Sequence, residues 1–449
     1  MKISIPNSVK ELAKLFPCPL YAVGGFVRDS LLGFPSHDVD LTSPLPPDEV
    51  KKLLSDSPFF VKDGSKKLLT LVIGIGDERY EYTTFRWDSY TTGHRPDAVV
   101  PCTDITTDAK RRDFTVNAIY YDVLAEKVVD PLNGLADLQN KVLRTTRSPG
   151  EVFSEDGLRL MRLARFAASL GFIPTEETLS AAKQYSPLIC DITKERIREE
   201  LDRILVCDTV YGVKDAHVHA LQYLLAIGVL EKILPDLTLG IGMEQRSDYH
   251  AYDVFTHIIM TVRAADPSVR LAALFHDIAK PRLKLETGFY RGHDKVGGEM
   301  TRALLTDLRY SVRTVEETAR LVENHMFNIN NDVKDSTMRR FIVKNADIID
   351  RLTLLRFADM VGSGRAKTFD TTSIDRIRKT FEEMKAERVP FSVKDLLVTG
   401  NDLLSVPDLP ENKRGEALKA LLNECVLKDS PLTTKEKQLE FIKNYARRS

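Results

Sequence analysis

Apolar and polar residues are arranged in two different rhythms along this chain. Near the N-terminus, "PLYAVGG" (19–25), "DVDL" (38–41), "LLTLVIGIG" (68–76) and "RYEYTTF" (79–85) carry β-branched and aromatic residues bounded by turn formers, which predicts short strands. Between the first two, "VRDSLLG" (27–33) reads as a short helix stopped by Gly33. From Ser148-Pro149-Gly150 onward the rhythm changes. "SPGEVFSEDGLRLMRLARFAASLGF" (148–172), "ERIREELDRIL" (195–205) and "VHALQYLLAIGVLEKIL" (218–234) place apolar residues at helical spacing, and almost no convincing strand follows. The expected fold is therefore α+β: a mixed α/β head built on a β-sheet, then an all-α remainder. Breaks are expected near 148–150, in the polar stretch 238–248 and around "ERVPFSVKD" (387–395).

Length and composition narrow the class. At 449 residues the chain has room for several domains. No apolar run approaches the ~18 residues needed to span a bilayer, so no membrane partner is expected. "MKISIPNSVKELAKLF" lacks the continuous apolar core of a signal peptide. Five scattered cysteines with no CxxC pair indicate neither a disulfide framework nor a zinc knuckle, which fits a reducing cytoplasm. A net charge of −1 argues against a general polyanion binder but leaves room for a local basic face that binds nucleic acid.

The first chemistry is in "GGFVRDSLLGFPSHDVDL" (24–41). Asp38 and Asp40 are two apart, so on a strand both carboxylates point to one face. Paired hard oxygens suit Mg²⁺, which commonly binds one or two carboxylates together with substrate phosphates. Gly24 and Gly25 follow a strand and let the backbone approach a phosphate chain closely, and Arg28 can reach the same anion.

A second set lies in "EDGLRLMRLARF" (155–166). Asp156, Arg159, Arg162 and Arg165 step by three, which on one helix makes a slanted stripe, with Glu155 four before Arg159. The bland reading is a row of solvated ion pairs, each worth ~0.3–0.5 kcal/mol. The chemical reading is sharper. A carboxylate accepts and a guanidinium donates, so an Asp/Arg pair complements the amino-donor and ring-nitrogen-acceptor edge shared by cytosine and adenine. Uracil and guanine show the reverse polarity and would leave buried polar groups unpaired.

A third set comprises His257, the His276-Asp277 doublet in "LAALFHDIAKP", His293, His325 and Asp359. Imidazole and carboxylate are common transition-metal ligands. A lone histidine on an apolar helix is usually a core residue; a His-Asp doublet with further histidines on other helices is more specific.

These motifs, in this order, resemble the class II CCA-adding tRNA nucleotidyltransferases and poly(A) polymerases of the DNA polymerase beta superfamily. The likeness is dense over 20–205, patchy over 245–360 and thin beyond. It implies that Asp38 and Asp40 are catalytic and hold Mg²⁺, with Glu81 of "ERYEYTTFR" as a third carboxylate. Gly25 and Arg28 would meet the triphosphate. "RRDFTVNAIYYD" (111–122) resembles the second family motif, so Arg112 and Asp113 would bind the nucleotide and its sugar. "DPLNGLADL" (130–138) is similar to a hinge-like third motif. The EDxxR likeness implies that Asp156 and Arg159 read the base of CTP or ATP, with Arg162 and Arg165 in support and Glu155 fixing the Arg159 rotamer.

"TTFRWDSYTTGHRPDAVVPCTDITTDAK" (83–110) resembles the flexible loop kept by enzymes that add A. The His-Asp set resembles HD phosphohydrolases, implying His257, His276, Asp277 and Asp359 as core metal ligands and His293 and His325 as ligands of a second metal, a divalent transition ion. The tail resembles an RNA-gripping end but departs after "GNDLL".

The domains expected are a catalytic head (1–147), a helical neck and body with the template helix (148–240), an HD domain (241–365) and a tRNA-binding tail (366–449). The function expected is template-independent addition of C, C and A to tRNA from CTP and ATP. An A-adding enzyme or poly(A) polymerase is the near alternative, and a non-polymerising RNA-binding HD hydrolase the distant one.

Overall fold

The computed structural model describes residues 3–36, 38–90, 97–327, 331–365, 370–407 and 409–448. The chain divides into two compact units, Met1–Thr238 and Leu239–Ser449.

The first unit opens with a seven-stranded sheet. Its first five strands are β1 (Tyr21–Val23), β2 (Asp40–Ser43), β3 (Phe60–Asp63), β4 (Thr70–Ile75) and β5 (Glu78–Thr84). The hairpin β6 (Arg86–Ser89) and β7 (Ala98–Pro101) stands apart, and β8 (Tyr120–Asp122) and β9 (Lys127–Val129) complete the sheet. The order is β3-β4-β5-β2-β1-β8-β9. The four strands expected from alternation are present. Leu71 and Ile73 on β4, with Tyr80 and Tyr82 on β5, bury alternate side chains, so the pleat puts one face in the core. The core below is aromatic, with Tyr82, Tyr120, Tyr121 and Phe114 fully buried.

Register sets the site. β1 runs antiparallel to β2 with Val23 opposite Asp40, and β2 runs parallel to β5 with Leu41 opposite Tyr82. The Gly24 turn, Asp40 and Glu81 are therefore brought to neighbouring positions on three adjacent strands.

The helical part of this unit departs from expectation in one respect. The run 148–172 is two helices, Pro149–Glu155 and Leu158–Leu170. Asp156 between them is extended (φ −153°, ψ 104°). A Cβ on Gly157 would lie 2.6 Å from the Leu188 carbonyl oxygen, so close backbone approach fixes the break. A short parallel pair, β10 (Val142–Leu143) and β11 (Ile173–Pro174), adds a strand where only helix was expected. Helix Leu158–Leu170 packs on Ala216–Ala226 and Lys194–Leu205 and is buried on most sides, Arg159 included.

The second unit is helical among the described residues. Val254–Ala264 packs against Ile349–Gly362, and His293–Asp307 against Val312–Asn324. A smaller core near the C-terminus gathers Leu396, Val398, Leu403, Leu421 and Ile442. The buried Gln438 amide accepts the Leu397 and Val398 amides there. No helix among the described residues is long and apolar enough to cross a membrane.

Candidate active site

Asp40 opens β2, half-buried, while Asp38 precedes the strand and is exposed. The expected same-face pair is therefore one strand carboxylate and one from the approaching loop. Among the described residues no hydrogen bond or ion pair engages Asp40. Burial, then Asp38, then Glu81 push its carboxyl up to about 6, against the opposing pull of Arg112. A carboxylate whose charge is disfavoured by burial and by two neighbouring carboxylates suits a divalent cation.

Gly24 links β1 to the helix Gly25–Leu31 at φ 79°, ψ −138°, a conformation open essentially to glycine. A Cβ there would sit 3.5 Å from Asp40 Oδ2 and 3.7 Å from Arg112 Nη1. Arg28, expected at the triphosphate, lines the cavity but is mostly committed to a brace. Its Nε donates to Asp29 at 2.8 Å, Nη1 to Asn117 at 2.5 Å and Nη2 to the Tyr211 hydroxyl at 2.6 Å. The guanidinium also lies 5.0 Å from the Phe166 ring centre. Arg28 is buried, with few donors left for a ligand.

The brace continues into Asp113. Asn117 Nδ2 and the Phe114 amide donate to Asp113 Oδ1 at 3.0 and 2.8 Å, and Arg162 donates to Oδ2 from Nε and Nη2 at 2.7 and 2.6 Å. Burial alone would raise this carboxyl, yet Arg162 and Asn117 hold it down at about 2. Asp113 is thus a fixed anion with both oxygens oriented.

The expected Asp156–Arg159 pair does not form. Arg159 is used structurally: Nη1 donates to the Val152 carbonyl at 2.9 Å and to Glu155 Oε2 at 2.8 Å, and Nη2 to the Arg111 carbonyl at 2.8 Å. Glu155 does fix the Arg159 rotamer. Asp156 pairs instead with Arg196 of helix Lys194–Leu205, at 2.6 Å (Oδ2) and 3.1 Å (Oδ1). Because the helix breaks at Asp156-Gly157, the carboxylate leaves the arginine stripe and faces helix Lys194–Leu205. Arg165 likewise pairs with Glu200 at 2.5 Å.

A cavity of about 680 Å³ unites these groups. Gly24, Gly25, Arg28, Asp38, Asp40, Arg112, Asp113, Asp156, Arg159, Arg162 and Arg165 all line it; Glu81 is outside the lining. Arg111, Asn117, Arg196, Arg203 and Tyr211 were missed from sequence. Arg111 and Asn117 carry a signal as members of "RRDFTVNAIYYD"; Arg196, Arg203 and Tyr211 are single polar residues in unremarkable helices. Part of the expected flexible loop is the β6–β7 hairpin, where Arg147 stacks 5.2 Å from the Trp87 ring centre. Residues 91–96 of that loop lie outside the described set.

The histidine set in the second unit converges as expected. Asp277 Oδ2 lies 3.2 Å from His257 Nε2 and 3.3 Å from His276 Nε2, while Oδ1 lies 3.2 Å from His293 Nε2 and 3.8 Å from His325 Nε2. Asp359 Oδ1 is 3.1 Å from His257 Nε2. His276, His293 and His325 each turn Nδ1 to a backbone carbonyl, of Ala273, Tyr290 and Val322. A carbonyl only accepts, so Nδ1 carries the proton and Nε2 is left as a ligand atom. His293 Nε2 and His325 Nε2 are buried without hydrogen-bond partners. Two ligand triads result: His257, His276 and Asp359, and Asp277, His293 and His325. Lys280 lies 2.6 Å from Asp277 and Arg356 2.6 Å from Asp359. Burial would raise both carboxyls, but Lys280 and His276 at Asp277, and His257, His276 and Arg356 at Asp359, hold them well below the usual range. The residues present fit divalent transition ions, which the two triads would hold.

Comparison with known proteins agrees. The family model "Poly A polymerase head domain" matches residues 20–144, "Probable RNA and SrmB- binding site of polymerase A" matches 171–239, and "HD domain" matches 249–352. The CCA-adding enzyme of Enterococcus faecalis is 28% identical over 452 residues, covering 99% of this chain and 98% of that protein. The A-adding tRNA nucleotidyltransferase of Deinococcus radiodurans is 30% identical over 465 residues, covering 96% of each. Among solved structures, the Bacillus stearothermophilus CCA-adding enzyme in complex with CTP matches with a TM-score of 0.68 over 98% of each chain, at 22% identity, which supports the fold. The chain belongs to the CCA-adding tRNA nucleotidyltransferase and poly(A) polymerase family and carries an HD domain. It is an enzyme, a nucleotidyltransferase.

Proposed function

We propose that this chain is a CCA-adding enzyme that builds C, C and A onto the tRNA 3′ end from CTP and ATP, releasing pyrophosphate, in the cytoplasm. The observation that carries this reading is the single cavity joining the Asp38/Asp40 carboxylates to the Asp156–Arg196 pair. One half suits a transferring phosphate and the other a base edge with cytosine and adenine polarity.

Mg²⁺ held by Asp38 and Asp40, with Glu81 adding charge nearby, would acidify the primer hydroxyl and neutralise the phosphates. The remaining work is orientation. Gly24 and Gly25 let the phosphate chain lie against backbone. Arg112 faces the same point as Asp40 and offers Nη1 to a phosphate oxygen. Asp113, locked by Arg162 and Asn117, offers a fixed acceptor to the sugar. Asp156 accepts from the exocyclic amino group, and Arg196 donates to the ring nitrogen. Arg159, Arg162 and Arg165 hold this wall in place, Arg159 through Glu155 and the Arg111 carbonyl. Positioning and electrostatics dominate in such phosphoryl transfer. Residues 148–240 and the tail 366–449 would hold tRNA.

An A-adding enzyme is the second reading, favoured by the full-length likeness to the Deinococcus radiodurans protein. Labelled CTP and ATP offered to tRNA ending at the discriminator base, or at CC, separate the two. Incorporation of C supports the CCA-adding reading; incorporation of A alone, and only on CC ends, overturns it. The second unit is proposed to hydrolyse phosphoesters; the two triads would hold divalent metal, which would supply Lewis-acid activation of water. Release of phosphate or loss of a cyclic phosphate from nucleotides, abolished by His276→Ala, is the matching assay.

A further inference from the structure

Arg112 and Asp40 face one another across Gly24, yet no ion pair joins them among the described residues. An arginine beside an otherwise unengaged carboxylate normally closes onto it, because paired charge-assisted hydrogen bonds are strong. Something holds this guanidinium back. Asp108, on the short helix Ile105–Lys110, is fully buried. Its Oδ2 accepts Arg112 Nη2 at 3.3 Å and the Tyr120 hydroxyl at 2.6 Å. Its Oδ1 accepts Arg111 Nε at 2.8 Å and the Arg86 amide at 3.2 Å. Tyr120 in turn accepts Arg112 Nε at 3.2 Å, with the guanidinium 5.4 Å from its ring centre. Arg112 is therefore tied by Nε and Nη2, leaving Nη1 on the cavity side beside Gly24.

We infer that Asp108 is a positioning residue that keeps Arg112 off Asp40, so that the carboxylate pair stays open to a divalent cation while the guanidinium still faces the phosphate path. Four donors saturate Asp108, so the buried charge is compensated and Arg111 is anchored by the same group. Burial would raise the Asp108 carboxyl, but Arg111 and Arg112 keep it low, so it remains an anion in the working range. The inference rests on the cation reading of Asp38 and Asp40.

The test reads metal binding directly. The full chain is prepared with His276→Ala and Asp277→Ala, which take one ligand from each triad of the second unit, and Mn²⁺ binding is followed by electron paramagnetic resonance. In this background Asp108→Asn frees Arg112 to pair with Asp40; if that paired state holds ~90% of molecules, apparent Mn²⁺ affinity falls about tenfold. Adding Arg112→Gln to Asp108→Asn removes the competitor and restores affinity to within about threefold of the background protein. Unchanged Mn²⁺ affinity in Asp108→Asn overturns the inference, as does a loss that Arg112→Gln fails to rescue, which would mark Asp108 as purely structural. If Asp108→Asn does not fold, Tyr120→Phe removes one tether only; a smaller loss with the same rescue supports the inference, and no loss overturns it. An Asp40→Asn protein that binds Mn²⁺ as well as the background protein would instead overturn the cation site, and the inference with it.

Discussion

Asp40 and Asp277 both belong to carboxylate clusters suited to divalent cations, and their surroundings differ in kind. Asp40 is half-buried, is paired with no cation among the described residues and has its carboxyl pushed up to about 6 by burial and by Asp38 and Glu81, against the weaker pull of Arg112. Asp277 is wholly buried, contacts Lys280 and four imidazoles, and is held strongly acidic. The first arrangement leaves negative charge uncompensated until cation and substrate arrive together. The second balances its charge within the fold before any metal arrives. On the functions proposed for the two sites, transfer chemistry uses an unsatisfied carboxylate site and hydrolytic chemistry a prepared one.

The comparison breaks most visibly at Asp40. Asp40→Ala or Asp38→Ala is expected to lower nucleotide transfer about a thousandfold or more, with tRNA retained in a gel-shift assay. Transfer surviving either change would remove the contrast. Next in size is Lys280→Ala. Leaving Asp277 buried without its cation should cost about 3–5 kcal/mol in chelated protein, and much less once metal is bound. Equal melting shifts with and without chelator would mean that Lys280 does not stand in for metal charge.

Arg196→Ala comes third. Asp156 loses its partner, and preference for C and A over U and G should fall about tenfold, while the melting temperature moves little. Arg159→Ala should do the reverse and destabilise by about 3 kcal/mol or more, since it strips a buried network. Misincorporation assays paired with thermal melts separate these roles.

The smallest effect is in pH. Asp40's folded value lies above its ordinary 3.8, so the folded state holds the extra proton. That contribution favours folding below about pH 4 and is lost as pH rises through about 6. Metal-free protein should therefore lose a little stability across that window and regain it with Mg²⁺, and transfer should fall as pH drops below about 6. Asp113 has the opposite sign: its contribution is present above its ordinary value and is lost as pH falls toward about 2. A melting profile flat from pH 4 to 6, with and without Mg²⁺, would contradict the raised Asp40.

Much of the head was legible because its signals are local. Alternation gave β1, β2, β4 and β5, and the Gly-Gly and Asp-x-Asp spacings pointed to the cavity. The histidine cluster was legible because its residue types are rare on apolar helices. The arginines were not. From spacing, Asp156 and Arg159 look like neighbours on one helix; in the fold Gly157 ends that helix and Arg196, forty residues on, takes the partner's place. Arg28 reads as a free phosphate ligand, yet Tyr211 and Asn117, distant in sequence, absorb most of its donors. Asp108 gave no signal, because a buried carboxylate at the centre of four donors looks like any surface Asp in a linear string. Where a charge is spent on another charge, only the tertiary arrangement reveals it.

The helix break at Gly157 also bears on how this protein could be re-engineered. A side chain fixed on a helix can be re-aimed only by turning the whole cylinder and everything packed on it. Asp156 hangs instead on a few backbone torsions between two rigid rods, so its aim is a local degree of freedom. Leu188's carbonyl, crowding Gly157, acts as the stop on that swivel. On the base-reading role proposed for Asp156, redesign of base preference should therefore begin with the width of this gap rather than with new polar side chains.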